Sequence, residues 1–110
     1  MPEPLHLGGC ACGAVRYAAG GAATNRCWCH CASCRRATGT PAAAWVTFAV
    51  GHFSWATGTP VERASSALVL RGRCGDCGTP LSYRHARRPD EIDILVATLD
   101  DPAPFSPEPH

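Results

Sequence analysis

Eight cysteines in a chain of 110 residues, gathered into three tight clusters, constrain this fold more than any other feature. Cys10 and Cys12 stand in "GGCACGAVRY", Cys27, Cys29, Cys31 and Cys34 in "CWCHCASCRR", and Cys74 and Cys77 in "CGDCGTPL". Disulfides between neighbours separated by one residue would be badly strained. The start, "MPEPLHLGG", carries no charged-then-apolar signal sequence, and no apolar run approaches the ~20 residues of a membrane span. The expected compartment is the cytoplasm, where thiols stay reduced, so the cysteines read as metal ligands.

Their spacing suggests how they divide. Cys74 and Cys77 form a C-x-x-C-G knuckle that closes on one metal, with Gly78 free to take the positive φ of such a turn. In a strand, Cys27, Cys29 and Cys31 share one face, each step advancing about 6.8 Å, so the outer two lie about 13–14 Å apart. A Zn–S bond of about 2.3 Å cannot bridge that gap. Cys34 folds back beside Cys31 through a first helical turn, which groups Cys29, Cys31 and Cys34 and leaves Cys27 out unless the strand bends. Cys10, Cys12, Cys74 and Cys77 would then complete a closed tetrahedral site. The rival is a ribbon pairing Cys31 and Cys34 with Cys74 and Cys77. It needs a far longer spacer than the roughly 15–20 residues usual for such sites, and it strands Cys10 and Cys12.

The rest of the chain reads as short alternating or β-branched runs broken by Gly and Pro. Strands are expected in "LHLGGC", "AVRYAA", "TNRCWCH", "AAAWVTFAV", "HFSWAT", "ALVLRG", "PLSYRH" and "IDILVATL". One short helix is expected from Ala32 to Gly39, stopped by Gly39 and Pro41. The tail, about residues 101–110, is proline-rich and should lie extended over the surface. The fold class is therefore all-β, one domain over residues 1–110. A net charge of +1 and the lack of a basic patch argue against nucleic acid and membrane partners. All ten basic residues are Arg, so no lysine can serve as a Schiff base or general base.

The ordered set "GGCACGAVRY", "CHCASCRRATG", "CGDCGTPL" and "TLDDP" resembles the GFA/CENP-V family, typified by glutathione-dependent formaldehyde-activating enzymes. The resemblance runs from Gly8 to about Pro107. It implies a β-tent of small antiparallel sheets with two Zn²⁺ per chain. One is a structural zinc on Cys10, Cys12, Cys74 and Cys77; the second sits on Cys29, Cys31 and Cys34. It also implies a carbon–sulfur lyase acting on glutathione and formaldehyde to give S-hydroxymethylglutathione. The family commonly has an apolar residue where Cys27 stands and an aromatic where Arg73 stands. It usually continues beyond the position of His110, and whether the end at His110 leaves the pocket incomplete is a question the resemblance raises.

A metal on three thiolates leaves a position for a thiol such as glutathione, whose pKa it would lower for attack on an aldehyde. The alternative is a non-catalytic, zinc-stabilised binding module. Arg35, with Arg36, is a candidate carboxylate clamp, and Trp45 a candidate pocket wall, although Trp28, Trp45 and Trp55 all suit a core. Cys27 is expected to be a small buried residue of a strand. Asp100 and Asp101 shape a turn or face the pocket. His6, His30, His52 and His85 offer no ligand pattern.

Overall fold

The computed structural model describes residues 1–107 and contains two antiparallel sheets and one short helix. The smaller sheet joins β1 (Leu5–Gly9), β2 (Arg16–Gly20) and β5 (Phe53–Thr57) in the order β1-β2-β5. The larger runs β3-β4-β9-β8-β7-β6. Its strands are β3 (Asn25–Cys29), β4 (Ala43–Ala49), β6 (Val61–Ser66), β7 (Val69–Arg73), β8 (Pro80–His85) and β9 (Glu91–Leu95). Helix α1 (Ala32–Thr38) follows β3 and ends at Gly39, whose φ of 72° is left-handed and whose N–H bonds the Arg35 carbonyl.

The core lies between the sheets. Tyr17 and Ala19 of β2 meet Val46 and Phe48 of β4, Leu81 of β8, and Ile92 and Ile94 of β9. Side chains alternate across a strand, so β4 and β9 each serve two purposes. Val46, Phe48, Ile92 and Ile94 face this core, while Trp45 and Leu95 build a second cluster with Ala43 and Cys34. Just beyond the turn that follows β9, Leu99 also forms an isolated antiparallel bridge with Gly8 of β1. A Cβ there would overlap the Tyr17 hydroxyl and the Thr98 carbonyl, so only glycine fits.

The all-β class with one helix matches the expectation, and three local readings need correction. Strand β6, "VERASS", carries no apolar alternation because it is an exposed edge strand on the large sheet. The run "IDILVATL" leaves the sheet at Leu95 and turns as a 3₁₀ helix over Val96–Thr98. Thr98 Oγ1 donates to the Leu95 carbonyl at 2.8 Å and meets the Tyr17 hydroxyl at 2.7 Å, which holds that turn. The tail is not simply extended. Ala103–Phe105 form a 3₁₀ turn, and Phe105 is buried edge-on against His6, with ring centroids 4.6 Å apart, and against Phe48. The end of the predicted extended tail, residues 108–110, lies outside the described residues.

Candidate metal centres

The first cysteine group forms where the two sheets meet. Cys10 and Cys12 follow β1 of the small sheet; Cys74 and Cys77 lie in the turn between β7 and β8 of the large one. Gly13 and Gly78 take φ of 80° and 79°, which lets each turn double back. Their four sulfur atoms lie within 4.8 Å of one another. Cys10 and Cys12 are 3.6 Å apart at sulfur, Cys12 and Cys74 3.7 Å. A tetrahedron with bonds of about 2.3 Å has edges of about 3.8 Å, so the group fits zinc. Backbone N–H groups already point at the sulfurs: Val15 at Cys10, and Asp76 and Cys77 at Cys74. Cys10 and Cys74 are buried in the core, Cys12 and Cys77 exposed.

Within this group the sulfurs of neighbouring cysteines shift one another's ionisation at Cys12 and Cys77. Cys77 is held down at about 5, first by the Thr79 hydroxyl and then by the Thr79 amide. Cys12 is pushed up to about 12: the Ala14 amide pulls it down, but the Cys10 and Cys77 sulfurs outweigh that pull.

The second group is local to one segment. Cys29 ends β3, Cys31 caps α1, and Cys34 sits in its first turn, all with sulfurs within 4.8 Å. Cys31 Sγ accepts the Cys34 N–H at 3.4 Å and lies 3.3 Å from Cys29 Sγ. The Cys34 amide, and then the Cys29 and Cys34 sulfurs, bring Cys31 down to about 7. Burial first, then the neighbouring thiols, push Cys29 up to about 12. A three-sulfur set of this kind also suits zinc, with one position left for another ligand.

This group opens into a cavity of about 470 Å³ whose walls include Trp45, Arg71, Tyr83, Arg88 and Asp93. Arg71 lies over the Tyr83 ring at 5.0 Å, and its Nη2 donates to Ser33 Oγ at 3.0 Å and Cys34 Sγ at 3.5 Å. Asp93 is nearly buried; its Oδ1 accepts from Thr47 Oγ1 at 2.5 Å and its Oδ2 from Arg88 at 3.1 Å. Burial pushes the Tyr83 phenol up, so it stays a donor at neutral pH.

A profile of the glutathione-dependent formaldehyde-activating enzyme family, GFA, matches residues 5–110. The chain belongs to that family. A crystal structure of a Rhodobacter sphaeroides protein shares the fold, with a TM-score of 0.71 and 23% sequence identity over 86% of this chain and 87% of that one. A search of curated proteins gave no match.

Within this GFA-family chain, the residues singled out in the sequence fall in different places. The two sulfur groups are those the spacing suggested, and Cys27 belongs to neither. The expectation that Cys27 is buried is corrected: it is exposed on the rim of the cavity, because β3 is the edge strand beside β4. Trp45 is buried and lines the cavity. Arg35 is exposed on α1 and is not part of the cavity wall; the guanidinium facing the cysteines is that of Arg71. Asp100 is paired with Arg16 in a two-pronged ion pair at 3.0 and 2.5 Å. Arg71, Tyr83, Arg88 and Asp93 were not singled out in the sequence. Strand alternation alone would have put Arg71 and Asp93 on one face or the other. Only the pairings Arg71↔Tyr83, Tyr83↔Asp93 and Thr47↔Asp93 bring them to this one.

Proposed function

We propose that this protein is a zinc-dependent carbon–sulfur lyase that joins a thiol, glutathione in the family's typical case, to an aldehyde such as formaldehyde. The observation that carries the reading is the contrast between the sulfur groups: four sulfurs closed at a sheet junction, and three opening into a cavity. Zinc held by Cys29, Cys31 and Cys34 would bind the thiol and lower its pKa. Arg71 donates to Cys34 Sγ, which orients that sulfur and tempers its charge. Trp45 walls the site with an indole and excludes water from one side. In the addition, sulfur forms a bond to the carbonyl carbon, and the carbonyl oxygen takes a proton as its π bond breaks. Tyr83 lines the same cavity, and its hydroxyl would supply a donor for that oxygen. Arg88 and Thr47 hold Asp93 in place, with its carboxylate toward the cavity.

The test is exchange NMR of glutathione and formaldehyde with the two-zinc protein. Line broadening or exchange peaks between glutathione and S-hydroxymethylglutathione, beyond the uncatalysed rate and lost in Cys34→Ala, are the expected result. Two zinc sites each saturated by four protein sulfurs, with no rate enhancement, would refute the enzyme and favour the binding module.

A further inference from the structure

Behind Trp45 and Arg71 lies a second cavity, of about 310 Å³, which shares Trp45, Ser65 and Arg71 with the cavity at the cysteines. Arg71 therefore stands in the partition between them. Three arginines, Arg63, Arg71 and Arg73, line this second cavity, and no acidic residue does. The ion pairs of the described residues lie elsewhere: Arg16 with Asp100, Arg84 with Glu62, and Arg88 with Glu91 and Asp93. None involves the three cavity arginines. Glu62, although next to Arg63, pairs across β6 and β7 with Gly72, on the other face of the sheet, where Arg84 engages it.

Two features make this arrangement costly without a ligand. Arg63 and Arg71 stand directly opposite each other across β6 and β7, and like charges in that relation repel. Arg71 also spends only Nη2, on Ser33 and Cys34; its Nε and Nη1 are buried and donate to nothing. The Tyr83 ring under the guanidinium offsets part of the cost of burying it, but a buried charged donor left without an acceptor is still penalised.

We infer that this cavity is an anion subsite that receives the carboxylate of an acidic thiol, with the thiol sulfur directed to Cys29, Cys31 and Cys34. The inference rests on the thiol-binding reading above and deepens it by naming which thiols are taken. The carboxylate accepts from the unpartnered nitrogens of Arg71 and neutralises the facing Arg63. Trp45, Ala37 and Pro80 give the cavity apolar walls suited to a short alkyl stem. Because Arg71 bonds Cys34 Sγ and also lines this cavity, carboxylate and sulfur belong to one small molecule.

The experiment is titration calorimetry of the zinc-loaded protein with 3-mercaptopropionate, 2-mercaptoethanol, propionate and inorganic phosphate. The probes run against wild type, Arg71→Gln and Arg63→Gln; the last alters only an exposed edge-strand side chain and preserves the fold. Wild type is expected to prefer 3-mercaptopropionate to 2-mercaptoethanol by about tenfold or more. Arg63→Gln should shrink that preference severalfold while 2-mercaptoethanol binds as before; Arg71→Gln, which also removes the contact to Cys34 Sγ, should shrink the preference as well and change the binding of both thiols. An equal preference in wild type and both variants overturns the subsite. Phosphate displacing 3-mercaptopropionate more effectively than propionate does overturns its assignment to a carboxylate. Arginine-dependent propionate binding that the thiol group does not improve supports the subsite while refuting the thiol role of the cysteine cluster.

Discussion

Replacing Cys74 by serine should remove more stability than any other single change at the cysteines. Cys74 is 1% exposed, accepts two backbone N–H groups, and its sulfur lies 3.7 Å from that of Cys12, 62 residues earlier. A metal joining these positions closes a long loop across the two sheets. By the relation used for covalent cross-links, closing about 62 residues removes roughly 4 kcal/mol of unfolded-state entropy. A whole domain has about 5–15 kcal/mol, and each kcal/mol moves the midpoint by about 4–8 °C at this size. Cys74→Ser should therefore lower Tm by on the order of 20 °C, or leave no cooperative transition. The assay is thermal denaturation followed by circular dichroism, with zinc counted by elemental analysis. A variant that loses one zinc yet melts within about 5 °C of wild type would refute the reasoning, because the loop would then be closed without the metal.

The second group behaves differently because its three sulfurs come from one short segment, so a metal there closes only a small loop. Cys34→Ala should lose one zinc per chain by elemental analysis while keeping the β-sheet circular dichroism; loss of both metals with unfolding would contradict the division into two sites. Cys27→Ala, at an exposed rim position outside both sulfur groups, should leave zinc content unchanged and shift stability by no more than about 0.5 kcal/mol in denaturant titration. In metal-free protein at neutral pH, Cys77 at about 5 is largely thiolate and Cys31 at about 7 is about half thiolate, whereas Cys29 and Cys12 at about 12 are thiols. Iodoacetamide should thus label Cys31 and Cys77 first, Cys31 more slowly as pH falls below 7, and zinc should protect both; mass spectrometry that finds Cys29 labelled as fast as Cys31 would contradict this.

Much of the fold could be read from the chain because its strands alternate or are β-branched and its turns carry glycine at the positions of positive φ. The helix was legible to within a residue, its end from Gly39 and Pro41. What escaped was information that only strand order carries. Strand β6 has no apolar face, since it sits at an edge and pairs on one side only. The burial of Phe105 depends on His6 and Phe48, which reach it from separate parts of the chain. The cysteine groups were readable from the reach of a Zn–S bond along a strand. Their surroundings were not, because Arg71, Tyr83 and Asp93 come from three strands whose adjacency no local pattern records. For the same reason the expected arginine was Arg35, a sequence neighbour of Cys34, and the one found beside its sulfur was Arg71.

Zinc-edge X-ray absorption of the two-zinc protein, recorded with and without glutathione, tests most directly whether one site is closed and the other open. Four sulfurs at one site and three at the other predict a mean of about 3.5 sulfurs per zinc without thiol, rising to about 4 with it. A mean of four sulfurs in the absence of thiol, unchanged on its addition, would contradict the account, because both sites would then be saturated by the protein itself.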